Sequence, residues 1–198
     1  MRARLTRREF LQTGAVTGAG TACGVAGTAE AAAPARSSPP SAAASSIDLI
    51  VNDIARQLLV EPRTTLAEAL RGALGLTGTK IACDRGACSA CTVWLDDQPV
   101  CSCMLLAIEV AGRRVTTIEG LARGDALHPV QKAFIEHDAM QCGFCTPGLV
   151  MSCAALLAQR PNPNADDVKT AIAGHLCRCG AYPHVVDATL AAAKASQG

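Results

Sequence analysis

Eight cysteines fall in two sets of four, and each set has the spacing of an iron–sulfur ligand group. The first set reads Cys83-x4-Cys88-x2-Cys91, followed by Cys103. The second reads Cys142-x2-Cys145, followed by Cys177-x-Cys179. The first is the plant-type [2Fe–2S] pattern, with three thiolates on one loop and the fourth from a later element. Gly86, Ala87, Ser89 and Ala90 are small, as a backbone that must approach a cluster closely requires. Inward N–H groups of such a loop would hold the cluster's negative charge and tune its potential. A chain built around two clusters moves electrons. Cys101 stands two residues before Cys103, so two thiols compete for the fourth place; spacing and the following Met104-Leu105-Leu106-Ala107 favour Cys103. Cys153 lies in a helical run and reads as a core residue.

The chain has eleven cysteines, an odd number, in tight local groups. In an exported chain that count could mean a disulfide framework, but the odd number and the clustering weigh against it. Zinc is the stronger competitor, because CxxC with a later CxC can bind it tetrahedrally. The Cys83/Cys88/Cys91 loop is longer than a usual zinc knuckle. His128, His137, His175 and His184 are scattered and read as helix-end or surface residues. No residue has the setting of a general base or nucleophile, so no catalytic residue is expected in this chain.

The elements that must position these thiols change character along the sequence. Ile47 to Val51 is a β-rich run, Asn52-Asp53 a turn, and Ile54 to Val60 the returning strand. Thr64-Thr65 starts a helix through Leu66, Ala69, Leu70 and Leu74, with Gly75 as its stop. After the cluster loop, Gly78 to Ala90, come a strand at Thr92–Leu95, a turn at Asp96-Asp97 and a strand at 115–118. A small mixed sheet on one helix is a β-grasp, the plant-type ferredoxin fold. From Leu127 the periodicity turns helical, with Val130, Ala133, Phe134 and His137 on one face. Pro147 opens a second helix to Gln159, Asn164 caps a third, and Pro183 opens a fourth through Ala193. The expected fold class is α+β: an N-terminal β-grasp ferredoxin lobe over 47–125, then an all-α four-helix bundle lobe over 126–198. The second set of cysteines falls at the mouths of the helices.

Residues 1–46 read as an address and a linker. Thr6-Arg7-Arg8-Glu9-Phe10-Leu11 resembles the twin-arginine export signal. A Gly/Ala/Thr-rich run follows, too short for a stable membrane span. Ala29-Glu30-Ala31 and Ala31-Ala32-Ala33 suit cleavage. Pro34 to Ser46 is a Pro/Ser/Ala linker without periodicity. Cys23 would leave with the signal. The expected location is the periplasm, reached by a chain folded and loaded with its clusters beforehand. The whole chain carries +1; removing residues 1–36 takes away five Arg and two Glu and leaves about −2. No basic patch supports nucleic-acid binding. Aromatics make up 3% of the chain, so small lobes with little aromatic core would lean on bound metal to stay folded.

Several strings together resemble one family. They are Gly78-Thr79-Lys80-Ile81-Ala82-Cys83, Thr116-Thr117-Ile118-Glu119-Gly120-Leu121, Gln141-Cys142-Gly143-Phe144-Cys145-Thr146-Pro147-Gly148 and Cys177-Arg178-Cys179-Gly180. The chain over roughly 47–195 is similar to the two-[2Fe–2S] subunit of the xanthine oxidase family of molybdenum hydroxylases. With its export signal it resembles in particular the iron–sulfur subunit of periplasmic aldehyde oxidoreductases. The resemblance implies that Cys83, Cys88, Cys91 and Cys103 hold one cluster and Cys142, Cys145, Cys177 and Cys179 the other. It implies that Gln141 and Cys179 contact a pterin. It implies a large subunit with molybdopterin cytosine dinucleotide and a medium subunit with FAD, electrons passing from the first through this chain to the second. The substrate class, aldehyde or else N-heterocycle or purine, lies outside these residues. An exported zinc-binding interaction module and a stand-alone ferredoxin are the other readings. Three positions depart from the family pattern: Ser89 replaces a usual Gly, adding a hydroxyl beside the cluster; His175 replaces a common Asn; Asp53 replaces a turn Gly.

Overall fold

The computed structural model describes residues 43–196. The twin-arginine signal, Cys23 and all but the end of the linker lie outside the described residues.

The architecture is α+β. A hairpin of β1 (Ser45–Val51) and β2 (Ile54–Val60) turns at Asn52 and Asp53, both in the left-handed region at φ 51° and 63°. Two positive φ values match the right-handed twist of paired strands, and Asn and Asp tolerate them without glycine. A second hairpin of the same kind joins β3 (Thr92–Leu95) to β4 (Gln98–Cys101) through Asp96 and Asp97, at φ 47° and 65°. With β5 (Arg114–Thr116) these form a mixed sheet of order β2-β1-β5-β3-β4, in which only the β1–β5 pairing is parallel.

Two differences from the expected strands have physical reasons. The β4 strand is not among the expected ones; it carries Pro99 and lies at the edge of the sheet, where a missing N–H is tolerated. The strand expected over 115–118 ends at Thr116, and Ile118–Gly120 is a 3-10 turn. Asn52 causes the break: its Oδ1 accepts the Thr117 N–H at 2.9 Å, and its Nδ2 donates to the Thr117 hydroxyl at 3.0 Å.

Leu49, Val51, Val93, Leu95 and Val115 alternate onto one face of the sheet. Leu66 and Leu70 cover them. They come from α1 (Leu66–Glu68), opened by a Thr65/Glu68 capping box, and from a wider π-type turn over Ala69–Ala73. Four helices follow: α2 (Pro129–Glu136), α3 (Thr146–Gln159), α4 (Ala165–Ile172) and α5 (Tyr182–Ala195). Val130, Phe134, Leu149, Met151, Ile172 and Val185 form their common core. Among the described residues no helix is long and apolar enough to cross a membrane.

The sheet and the helices meet along β3 and α3. Trp94 packs on the helical core, and its Nε1 donates to the Met151 carbonyl at 2.9 Å. Gly148 on α3 lies where a methyl group would run into the Ser89 carbonyl and the Ala90 backbone. Glycine at this position lets the cysteine loop touch the helix.

Candidate metal centre

The first cysteine loop is tied down before the first thiol. Arg71 donates to the Thr77 and Thr79 carbonyls at 2.8 and 2.6 Å. Glu119 accepts the Gly78 N–H at 2.8 Å and the Thr117 hydroxyl at 2.6 Å. Ile118 and Glu119 fill the space that a side chain at Gly78 would need. The Thr117-to-Gly120 string is therefore the anchor of the loop, linked through Asn52 to the first hairpin.

From that root the backbone coils with Asp84, Gly86 and Ser89 at φ 52°, 71° and 55°. Such turns aim successive N–H groups into one concavity. The Ala87 N–H lies 3.2 Å from the Cys83 sulfur. The amide of Arg85 foremost, with smaller help from the Cys88 thiol and the Ala87 and Cys88 amides, holds the Cys83 thiol down at about 7. Burial pushes Cys103 up to about 11, against the pull of the Gly86 N–H. Cys91 is raised, first by the neighbouring Cys101 thiol and then by burial. Burial also raises Cys88. Cys83 and Cys88 face each other, and Cys91 faces both Cys101 and Cys103.

The second set sits on two short loops. One precedes α3, with Gly143 at φ 79°; the other runs between α4 and α5, with Gly180 at φ 76°. Cys145 occupies the N-cap of α3. Burial raises Cys177, but the Ala181, Cys179 and Gly180 amides and the Cys145 thiol outweigh it and leave the group lowered. The Phe144 N–H lowers Cys142. Burial pushes Cys145 up to about 12. Here too the thiols pair, Cys142 with Cys179 and Cys145 with Cys177. Tyr182 braces the loop: its hydroxyl accepts the Cys177 N–H at 2.7 Å and donates to the His175 carbonyl at 3.0 Å.

The donor set suits [2Fe–2S] clusters. Each site offers four thiols and several amides directed at sulfur, and two thiolates per iron is how four cysteines share a two-iron core. Bound metal would hold all of them as thiolates, including those that burial now keeps protonated.

The other sequence candidates fall as follows. Gln141 is exposed beside Cys142, which pairs with Cys179, so Gln141 and Cys179 share one rim with exposed Phe144. Cys153 is fully buried in the helical core. The Ser89 hydroxyl reaches Cys101, at 3.7 Å between oxygen and sulfur. His128 caps α2, His137 ends it, and His184 is exposed. His175 departs from the surface reading: it is buried, with Nε2 2.7 Å from the Ser152 hydroxyl, and burial lowers it to about 4.

One feature was invisible to sequence reading because it is backbone. The Leu176 N–H donates to the Cys88 carbonyl at 3.2 Å. Cys88 belongs to the first thiol set, and Leu176 precedes Cys177 of the second. A single hydrogen bond thus joins the two sets.

A family model described as "2Fe-2S iron-sulfur cluster binding domain" matches residues 49–117, and one described as "[2Fe-2S] binding domain" matches residues 117–190. The aldehyde oxidoreductase iron–sulfur-binding subunit PaoA of Escherichia coli (strain K12) is 39% identical over 199 residues, covering 93% of this chain and 86% of that protein. The nicotine 6-hydroxylase small subunit of Paenarthrobacter nicotinovorans is 46% identical over 144 residues, covering 73% of this chain and 87% of that protein. Among solved structures, quinoline 2-oxidoreductase from Pseudomonas putida 86 superposes with a TM-score of 0.76 at 41% identity, over 79% of this chain and 98% of the matched chain.

Proposed function

Since the chain belongs to the family of two-[2Fe–2S] subunits of xanthine oxidase-type molybdenum hydroxylases, we propose that it is the electron-transfer subunit of an aldehyde oxidoreductase of the periplasm. Cys83, Cys88, Cys91 and Cys103 hold one cluster, and Cys142, Cys145, Cys177 and Cys179 hold the other. When bound, each cluster accepts and releases one electron at a time. The sheet is a β-grasp ferredoxin lobe over 47–125, and the helices are a four-helix bundle lobe over 126–198. Partner subunits carry molybdopterin cytosine dinucleotide and FAD. Gln141 and Cys179, on the rim of the helical lobe, face the pterin. Residues 1–46 carry the twin-arginine address and the linker.

The observation that carries this reading is the Leu176-to-Cys88 hydrogen bond. It gives two thiol sets on different lobes a direct connection, which a pair of independent structural metal sites would not need. The chain's own work is ligation and charge balance. Its amides at Ala87, Gly86, Phe144 and Ala181 point at sulfur and favour the thiolate.

The first test is electron paramagnetic resonance of the dithionite-reduced chain, with iron and sulfide counted. Two distinct signals and about four Fe per chain are expected. Zinc without a signal would overturn the relay. Replacing Arg7 and Arg8 by lysine should leave the complex in the cytoplasm; normal periplasmic activity in that variant would overturn the address. A second reading keeps the relay and changes the substrate to an N-heterocycle, favoured by the 46% identity to the nicotine 6-hydroxylase small subunit. Turnover of aldehydes against pyridines by the complete complex decides between them.

A further inference from the structure

Five thiols, rather than four, gather at the first loop. Ser102 lies directly opposite Cys91: its amide and its hydroxyl both donate to the Cys91 carbonyl, at 3.3 and 2.7 Å. Its two chain neighbours, Cys101 and Cys103, therefore flank Cys91. Cys101 ends β4 and Cys103 lies in the 3-10 turn Ser102–Met104 that follows it, so the chain bends around Cys91 between the two thiols. The Cys91 thiol faces each of them. Cys91 and Cys103 pack with Ala67 in one buried group, against which Cys101 and Ile81 close.

The two flanking thiols are held differently. Cys103 is bound to the loop: the Gly86 amide points at its sulfur, and Met104 fills the space a Gly86 side chain would need. Cys101 ends β4, paired across the sheet with Thr92, and its thiol is half-buried beside the Ser89 hydroxyl. A cavity of 190 Å³, lined by Ser89, Cys101, Ser152, Gly174 and His175 among others, adjoins it.

We propose that Cys101 is a reserve ligand of the first [2Fe–2S] site, able to take the place of Cys103 there. The inference rests on the reading of this loop as a cluster site. The exchange is a ligand substitution in which no electron moves. One iron–thiolate bond to Cys103 breaks and one to Cys101 forms; Cys101 gives up its proton, and Cys103 takes one up. Such a site survives the loss of one particular ligand.

The test uses the full chain as Cys101→Ala, Cys103→Ala and the double alanine variant. Alanine is chosen because a serine oxygen could itself bind iron. Iron and sulfide are counted, and the reduced spectra are compared with the unaltered chain. The unaltered chain should hold about four Fe, and so should Cys101→Ala. Cys103→Ala should also keep about four Fe, with the g values of the first signal shifted and the second signal unchanged. The double variant should fall to about two Fe and retain only the second signal. If Cys103→Ala alone drops to two Fe, or no longer folds while the other single variant does, the reserve role is overturned. An unaltered chain without iron would instead overturn the cluster reading itself, so the two failures are distinguishable.

Discussion

Cys177 and Leu176 are neighbours with different tasks, one offering a sulfur and the other an amide proton. Replacing Cys177 by alanine should remove the second cluster and leave the first. Iron should fall from about four to about two per chain with the first signal unchanged. Loss of both clusters would mean that the sites do not load separately. The gathering of the cysteines into two groups was legible because their spacing is written directly in the chain. Leu176 was not, since any residue but proline offers the same N–H. The burial of His175 was equally hidden, because a lone histidine carries no sign of the pocket that the Ser152 hydroxyl and the Tyr182-braced loop make for it. Cys101 was visible as a competitor of Cys103, but the geometry that places both beside Cys91 depends on Ser102 and the unexpected β4 strand.

Helix ends carry predictions of their own. Asn164 caps α4 by accepting the Asp166 and Asp167 N–H groups at 2.8 and 2.9 Å, and Asp167 completes the capping box. Asn164→Ala should destabilise the chain by about 1 kcal/mol, read as a shift in the denaturant midpoint. His128 caps α2 through Nδ1, which accepts the Val130 N–H at 3.2 Å and so must stay unprotonated. Burial, with Arg123 second, lowers its pKa below the ordinary 6.5. The unfolded chain then takes up this proton first, so stability falls as pH drops below about 6.5. Melting temperatures followed from about pH 7.5 to pH 5.5 should fall more steeply for the unaltered chain than for His128→Asn, which caps without titrating. Equal slopes would refute this role. Prolines and caps made the four helices legible in outline. The π-type turn at Ala69–Ala73 was not, because no residue in it marks it off from an ordinary helical turn.

At the scale of the molecule, three contacts fasten the sheet to the helices: Trp94 on Met151, Gly148 against Ser89 and Ala90, and Leu176 on Cys88. Gly148→Ala should force these surfaces apart and cost about 1–3 kcal/mol, seen as a lower unfolding midpoint. An unchanged midpoint would mean that the junction is looser than its contacts imply. Trp94 is the one tryptophan in the chain, so its emission reports this junction directly. The Leu176-to-Cys88 bond also has a consequence for speed. Electron tunnelling decays exponentially with distance, so a gap that breathed would make the rate follow the widest excursions of two swinging bodies. With both clusters bound, the fastened sheet and helices would hold the length of the jump, and the rate between the two centres would be left to their difference in potential and their reorganisation energy.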